Sequence, residues 1–317
     1  MNGSAENSTD LFDLKAAAAL PPEILFGTST WSYPGWKGLV YNQNYRDEQD
    51  FKARCLAEYA AFPWFRTVCI DSAFYRPPTP EALRRWSTDL PDGFRWVSKV
   101  WERLTIFRFP AHARYGSNAG KDNPDFLNPA LFTSKVLPAF DAAEVRDHCG
   151  PFVFQFPTLN PKLISQAVFL ERLHEFLHAL PQGHSYAVEI RNPDWLDSRY
   201  FQALNENQCA HCFNHWSYMP TLKDQMQAAA DAGGLSADFL VARILTPLGL
   251  NYQQAVNRYK PYDQLKEPLP EMRRDVVRLA KRARQKKIPA YIIVNNRAEG
   301  NAPLTIDAIG RLLVTGT

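Results

Sequence analysis

The sequence has little net charge and no long hydrophobic run. Its 317 residues carry 36 Lys and Arg against 33 Asp and Glu, a net charge of +3. A balance this close gives no general attraction to nucleic acid or to a membrane surface, although a local basic patch stays open. No apolar run approaches the roughly 18 residues of a membrane span. These shortages predict a protein that does not associate with membranes.

Cysteine is scarce and scattered. An odd number, five, spread over a chain of this length argues against a disulfide framework and favours the reducing cytoplasm. The first twenty residues carry Glu6, Asp10 and Asp13 where a signal peptide begins with basic residues. We therefore expect a cytoplasmic protein in which residues 1–20 form a flexible tail or a partly helical extension, and residues 21–317 form one domain.

Several cofactor and catalytic motifs are missing as well. No GxGxxG or P-loop spacing follows the first predicted strand, and no Asp-rich or GxSxG pattern occurs. Cys209 and Cys212 have CxxC spacing, but they fall in a predicted strand, where positions three apart face opposite sides. They are expected to be core cysteines, and the sequence predicts neither a bound metal nor another cofactor.

Strand-like apolar runs alternate with helical stretches along the whole chain. The predicted strands are Ile24–Thr28, Thr67–Asp71, Phe94–Lys99, Phe152–Phe156, Tyr186–Arg191, Ala210–Asn214, Phe239–Ile244 and Tyr291–Asn295. Eight such units over this length predict an α/β fold, a single (β/α)8 TIM-type barrel, with a doubly wound open sheet as the alternative. Asn160 is expected to cap a helix that begins at Pro161. A long loop, 100–129, follows the third strand, and loops of that length are usually functional or disordered.

The segments after the strands contain uncommon residue types in a fixed order. They are the run from Gly27 to Tyr41, Asp71-Ser-Ala-Phe-Tyr75, Lys99, Gln155-Phe-Pro157, Val188-Glu-Ile-Arg-Asn-Pro-Asp-Trp195, Arg243, and Asn295-Asn296 before Ala302-Pro303. In this order, over residues 23–315, the sequence resembles the YecE-like family, known as domain of unknown function 72. The resemblance implies a TIM-type barrel and supplies no activity. The sequence departs from the family pattern at Thr30, Cys69 and Asp71, among other positions.

Charged residues at the strand ends are expected to face the barrel interior. Alternate residues of a strand face opposite sides, and the apolar partners of Glu189 and Arg191 suit the helix layer. The same parity directs Asp71, Lys99 and Arg243 inward, together with Gln155. Buried charges must pair with each other or meet a ligand. Two interpretations follow: a closed salt-bridge network that plugs the barrel top, or a binding site for an anion at the barrel mouth.

A set of aromatic residues also follows the strands, and we call it the aromatic collar. Its members are Trp31, Tyr33, Trp36, Tyr41, Phe74, Tyr75 and Trp195. They could form a small hydrophobic core beneath long loops, or line a pocket and stack on sugar or base rings. If the rings line a pocket, polar groups and aromatic rings converge on one barrel mouth, which is typical of a ligand site.

The leading hypothesis is an enzyme acting on a small polar or anionic, carbohydrate-like substrate, with hydrolase, lyase and isomerase chemistry all open. Glu189 is the candidate general acid or base, Lys99 binds an anion or forms a Schiff base, and Asp71 is a second carboxylate. The expected substrate-binding residues are Trp31, Tyr33, Trp36, Tyr75, Gln155, Arg191, Trp195, Arg243, Asn295 and Asn296.

Two other functions remain open. The basic helix 273–287 and the loop 100–129 could bind nucleic acid, although the near-neutral total charge disfavours this. The departures from the family pattern keep a catalytically silent, ligand-binding barrel as the third hypothesis. A small-molecule ligand is therefore the expected partner.

Overall fold

In the computed structural model, which describes residues 11–316, strands and helices alternate along the chain. The strands are Ile24–Thr28 (β1), Thr67–Ile70 (β2), Arg95–Lys99 (β3), Cys149–Gln155 (β4), Tyr186–Glu189 (β5), Ala210–His215 (β6), Leu240–Ile244 (β7) and Ala290–Val294 (β8). They pair in parallel in the order β1-β8-β7-β6-β5-β4-β3-β2. This order runs around the sheet without the reversal of a doubly wound fold, and confirms the (β/α)8 barrel.

Helices cover the outside of the barrel and fill the connections. They are Leu14–Ala18 (α1), Glu48–Ala61 (α2), Pro80–Thr88 (α3), Pro129–Leu131 (α4), Ala143–Arg146 (α5), Gln166–His178 (α6), Ser198–Glu206 (α7), Leu222–Asp231 (α8), Tyr252–Tyr259 (α9), Pro270–Lys286 (α10) and Ala302–Thr315 (α11). Short 3-10 turns occupy Pro34–Trp36, Asp71–Phe74, Glu102–Leu104, Ala113–Asn118, Leu137–Ala139 and Pro193–Trp195, and Phe132–Val136 is π-helical. Within the described part of the chain, none of these helices has the length and apolarity to cross a membrane.

The helix expected to begin at Pro161 begins five residues later, at Gln166. The Asn160 side chain accepts a hydrogen bond from the backbone of Lys162, which is a local turn and not a helix cap. The side chain of Ser165 accepts instead from Val168 N, the third residue of α6. Asn and Ser are both common N-cap residues, so the sequence alone does not decide whether Asn160 or Ser165 caps the helix. The conformation of the chain between them decides it.

The described part of the N-terminal segment is helical and packed. Ala16 and Ala17 of α1 are buried, and the Asp307 carboxylate on α11 accepts a hydrogen bond from Asp13 N at 2.8 Å. Trp64 Nε1 donates to the same oxygen at 3.0 Å. Within residues 11–20, Leu14–Ala18 is helical and packs on α11, while residues 1–10 of the predicted tail lie outside the described residues.

The two cysteines with CxxC spacing lie on opposite sides of the β6 backbone, as strand geometry predicts. Cys209 packs in the core between the barrel and the helices, whereas Cys212 packs inside the barrel with Cys69 and Val97. All five cysteines are free thiols.

A buried tyrosine closes the seam between β1 and β2. The two strands approach so closely that a Cβ on Gly27 would lie 2.0 Å from the Thr67 carbonyl oxygen, so only glycine fits. The Tyr59 hydroxyl, from α2, accepts a hydrogen bond from Thr28 N at 2.9 Å and donates to Thr67 O at 3.1 Å. One phenol thus satisfies backbone groups on both strands at the seam.

We expect Tyr59→Phe to lower the free energy of unfolding by about 2–3 kcal/mol, because the buried Thr28 N–H and Thr67 carbonyl both lose a partner. Urea denaturation measures the change. Tyr186→Phe is the matched control, since its hydroxyl makes one bond, to Pro181 O, and should cost about 1 kcal/mol. Equal losses in the two variants would show that the seam does not depend on the phenol.

Candidate functional site

Five charged side chains form one connected network at the C-terminal ends of the strands, as strand parity predicts. They are Asp71, Lys99, Glu189, Arg191 and Arg243. Asp71, Lys99, Glu189 and Arg243, and also Gln155, each lie two positions after a buried residue inside the barrel; those interior residues are Cys69, Val97, Ala187, Val241 and Val153. The network therefore rests on an apolar layer inside the barrel. Gln155 joins it, because its side-chain oxygen accepts a hydrogen bond from Arg243 Nη1 at 3.1 Å.

Glu189 is the centre of the network and is fully buried. Its Oε1 accepts from Arg191 Nη2 at 2.9 Å and Nε at 3.1 Å, and its Oε2 accepts from Arg243 Nη1. Burial alone would raise the pKa of Glu189, but the guanidinium groups of Arg243 and Arg191 outweigh it and lower the pKa to about 2. The carboxylate is therefore a permanent anion with both oxygens held, which suits an anchor better than a general acid or base.

Asp71 and Lys99 form the more open part of the network. The Asp71 carboxylate forms an ion pair with Lys99 Nζ at 3.2 Å and accepts a hydrogen bond from Arg243 Nη2 at 3.1 Å, and its side chain is 38% exposed. The Lys99 ammonium also lies 3.8 Å from the centre of the Phe74 ring. Burial, together with Arg243, lowers the pKa of Lys99 although Asp71 opposes the shift. Asp71 is thus the network carboxylate that solvent, or a ligand, reaches.

Arg191 extends from the network to Trp216, an aromatic ring outside the aromatic collar. Its guanidinium lies 4.2 Å from the centre of the Trp216 ring. Trp216 directly follows β6, so the sequence carries the same signal for it as for the aromatic collar: an aromatic residue after a strand end. A guanidinium stacked on a ring retains donors in its own plane for an anionic ligand.

The long loop after β3 adds a third acidic group, beside the two carboxylates of the network. Glu102 Oε2 accepts a hydrogen bond from Arg114 Nη2 at 2.5 Å and from the Tyr115 hydroxyl at 3.0 Å. Burial raises the pKa of Glu102, while Arg114, Tyr115 and nearby Lys99 oppose the shift. Arg114 also lies 5.1 Å from the centre of the Tyr75 ring. The sequence offered only the length of this loop as a signal.

Most of the aromatic collar packs in the hydrophobic core beneath the loops. Trp36 and Tyr41 are stacked and almost fully buried, Trp31 packs on Trp86, and Trp195 packs on Phe169. A ring without an accessible face cannot stack on a ligand. Ligand binding by these four residues stays a prediction for which the structure provides a packing alternative.

Three collar residues lie nearer to open surface. Tyr33 is partly buried, packs edge-on against Tyr262, and donates a hydrogen bond to Pro261 O. Phe74 lies beneath the Lys99 ammonium, and Tyr75 is 58% exposed. Phe74 and Tyr75 are therefore the collar residues that the structure brings to the charged network.

The two asparagines after β8 organise the backbone. Asn296 Oδ1 accepts hydrogen bonds from Trp36 Nε1 at 3.2 Å and from Ala302 N, at the start of α11, at 2.9 Å. Asn295 Oδ1 accepts from Arg297 N at 3.0 Å. Their side-chain oxygens thus hold the loop between β8 and α11, and substrate binding by either stays a prediction.

The basic helix, α10, has many of its charges paired. Arg273 binds the buried carboxylate of Glu299, Arg274 binds Glu271, and Arg278 binds Asp275. These carboxylates reduce the field available to a nucleic acid phosphate, which is the attraction that such binding requires. Nucleic acid binding stays a prediction, with less charge available than the sequence of the helix indicates.

Comparisons with known proteins agree on the fold. A DUF72 family protein of Enterococcus faecalis superimposes with a TM-score of 0.62 at 16% identity, covering 92% of this chain and 95% of that one. A DUF72 family protein of Thermotoga maritima gives a TM-score of 0.59 at 19% identity, covering 92% and 98%. At these identities the likeness shows the fold alone.

The sequence comparisons identify the family. UPF0759 protein YecE of Escherichia coli K12 is 26% identical over 174 residues, 55% of this chain, and the match spans only 50% of YecE. The model described as "Protein of unknown function DUF72" matches residues 25–316. That range contains every strand end that contributes to the charged network, and the chain belongs to the DUF72 family.

Proposed function

We propose that the barrel mouth binds a small anionic, carbohydrate-like substrate and acts on it by acid–base chemistry. The observation that carries the proposal is the imbalance of the network: three cations, Lys99, Arg191 and Arg243, share two carboxylates, Asp71 and Glu189. The adjacent pair of Glu102 and Arg114 adds no net negative charge to the mouth. An excess positive charge in a poorly solvated site favours an anionic ligand.

The anion would bind on the open side of the network. The Nη atoms of Arg243 and both oxygens of Glu189 already have protein partners, whereas Lys99 pairs with the exposed carboxylate of Asp71 and Arg191 keeps 16% of its side chain exposed. Lys99 takes the electrostatic role in this proposal. The rings of Tyr75 and Trp216, each with an arginine against it, provide flat apolar surfaces of the kind on which sugar rings stack.

The acid–base roles fall to the two more accessible carboxyl groups. Asp71 is partly exposed and ion-paired, so it is the candidate base that removes a proton from the substrate. Glu102 has a raised pKa because of burial and is the candidate acid that returns one. Glu189, the candidate from the sequence, instead holds Arg191 and Arg243 in position. Hydrolase, lyase and isomerase reactions all use such a pair.

A second candidate function is a ligand-binding barrel without catalysis. The observation in its favour is the closed pairing of Glu189, whose two oxygens are both occupied by guanidinium groups. A barrel that only binds needs the excess charge but not the proton transfers. The two candidates share the anion site and differ in the need for Asp71 and Glu102.

We expect the protein to bind inorganic phosphate, and Lys99→Met to weaken that binding at least about tenfold, about 1.4 kcal/mol, because the excess charge is removed. Asp71→Asn should strengthen it, since a competing carboxylate is lost. Isothermal titration calorimetry at low ionic strength measures both. Lys52→Met is the control, because Lys52 pairs with Glu48 on the outer helix α2. Absent binding, or equal loss in both lysine variants, would contradict an anion site at the mouth.

We expect Glu189→Gln to lower the free energy of unfolding by about 3–5 kcal/mol at pH 7, because it leaves buried arginines without their anion. The folded pKa of Glu189, about 2, lies below the ordinary value of a glutamate. Its contribution is therefore complete above the unfolded pKa and disappears as the pH falls from about 4.5 toward 2. The difference between variant and wild type should shrink over that range.

Glu271→Gln is the matched control for this measurement. Glu271 also pairs with an arginine, Arg274, but its side chain is 81% exposed, so the change should cost less than about 1 kcal/mol. Urea denaturation across the acidic range provides all the values. A loss for Glu189→Gln as small as the control would return Glu189 to the list of acid–base candidates.

A further inference from the structure

Buried polar atoms without a hydrogen-bond partner among residues 11–316 gather on one half of the barrel mouth. Six belong to residues that end or follow four strands: Ser29 Oγ after β1, Asn214 Oδ1 and His215 Nδ1 at the end of β6 with Ser217 Oγ after it, Thr246 Oγ1 after β7, and Arg297 Nε after β8. Arg243 Nε is a seventh, within β7, and the other two, on Trp96 and Ser98, belong to β3.

The four strands are neighbours in the barrel. Their order is β1-β8-β7-β6, and backbone hydrogen bonds continue past the strand ends, from Thr246 N to His215 O at 3.1 Å and from Ser29 N to Val294 O at 3.2 Å. The charged network draws its other members from β2, β3, β4 and β5. The mouth therefore has a charged half and a half with unpartnered polar atoms, and Arg243 belongs to both.

A buried polar atom without a partner is unfavourable, and folded proteins contain few of them. A concentration at the C-terminal ends of barrel strands, where active sites of this fold lie, indicates groups that a ligand satisfies. Asn214 and Arg243 illustrate this, because they are register partners on β6 and β7. One has a free acceptor and the other a free donor, which is the pattern that a single hydroxyl group can bridge.

The hydrogen-bonding types of the unpartnered atoms also suit a ligand with hydroxyl groups. The serine and threonine hydroxyls donate or accept, Asn214 Oδ1 accepts, and the arginine Nε–H groups donate. His215 directly follows Asn214 on β6 and so faces the other side of the strand, and it is not assigned to the same ligand. Apart from the arginines the set is uncharged, and it matches groups that are both donors and acceptors.

We infer that the β6–β7–β8–β1 half of the mouth is a subsite for hydroxyl groups, and that the site as a whole takes a polyol or sugar bearing a phosphate or carboxylate. The inference rests on the proposed function for the anion, which occupies the charged half. It adds the chemical class of the remainder of the substrate and assigns Asn214, Ser217 and Thr246 to binding it.

Thr246→Val is the test variant, because it replaces an unpartnered buried hydroxyl by a methyl group of similar size. We expect sorbitol phosphate to bind the wild-type protein about tenfold more tightly than inorganic phosphate, since the polyol adds hydrogen bonds. Thr246→Val should remove most of that gain and leave the affinity for inorganic phosphate unchanged. Isothermal titration calorimetry with the two probes measures this split.

The melting temperature of the ligand-free protein tests the hydroxyl subsite independently of anion binding. Thr246→Val should raise the melting temperature, by about 2 °C, because an unpaired polar group is removed. Thr67→Val is the matched control: its hydroxyl is buried and donates to Arg95 O at 2.6 Å, at the start of β2. That variant should melt at a lower temperature and bind both probes as the wild type does.

The outcomes separate the two proposals. If neither inorganic phosphate nor sorbitol phosphate binds, the anion site is contradicted, and the proposed function with it. Tight phosphate binding with no gain from the polyol would overturn the hydroxyl subsite alone. A fall in melting temperature for Thr246→Val as large as that for Thr67→Val would also overturn it, whatever the anion does, because the hydroxyl would then be structural.

Discussion

The ion pair between Glu189 and Arg243 is the interaction on which the arrangement of the mouth depends. It joins β5 to β7 inside the barrel, where both side chains are almost inaccessible to water. A charge in such a place is costly unless it is paired and hydrogen-bonded, so neither residue is stable there without the other. Asp71 and Gln155 reach the same guanidinium from β2 and β4, and so align further strand ends around it.

The sequence predicts the barrel and the inward direction of its charges because both depend on local periodicity. Alternation along a strand decides which side a residue faces, and Glu189 with Arg191 obey it together. Sequence cannot predict which partners meet. Whether Glu189 serves as an acid or as an anchor depends on Arg243, 54 positions away, and only tertiary structure brings that residue within reach.

The aromatic residues show the same limit. Trp31, Trp36 and Tyr75 all follow strands, so position alone makes them equivalent. In the structure the Trp36 indole donates to Asn296 and is fully buried, whereas Tyr75 is exposed beside Arg114 of the long loop. The loop itself carries Glu102 to the network. Long-range contacts of this kind leave no periodic signal, so the sequence does not predict which aromatic residues remain exposed near the charged network.

The excess cation and the unpartnered polar atoms are two forms of one energetic condition. Both make the ligand-free mouth less stable than it would be with apolar residues of the same size, and both would be relieved by a single molecule with an anion at one end and hydroxyls at the other. The fold tolerates this because the Glu189–Arg243 pair and the apolar layer of Val97, Val153 and Val241 hold the strand ends together. The Glu189–Arg243 pair and the apolar layer stabilise the barrel, whereas the excess cation and the unpartnered polar atoms above them provide the capacity to bind a ligand.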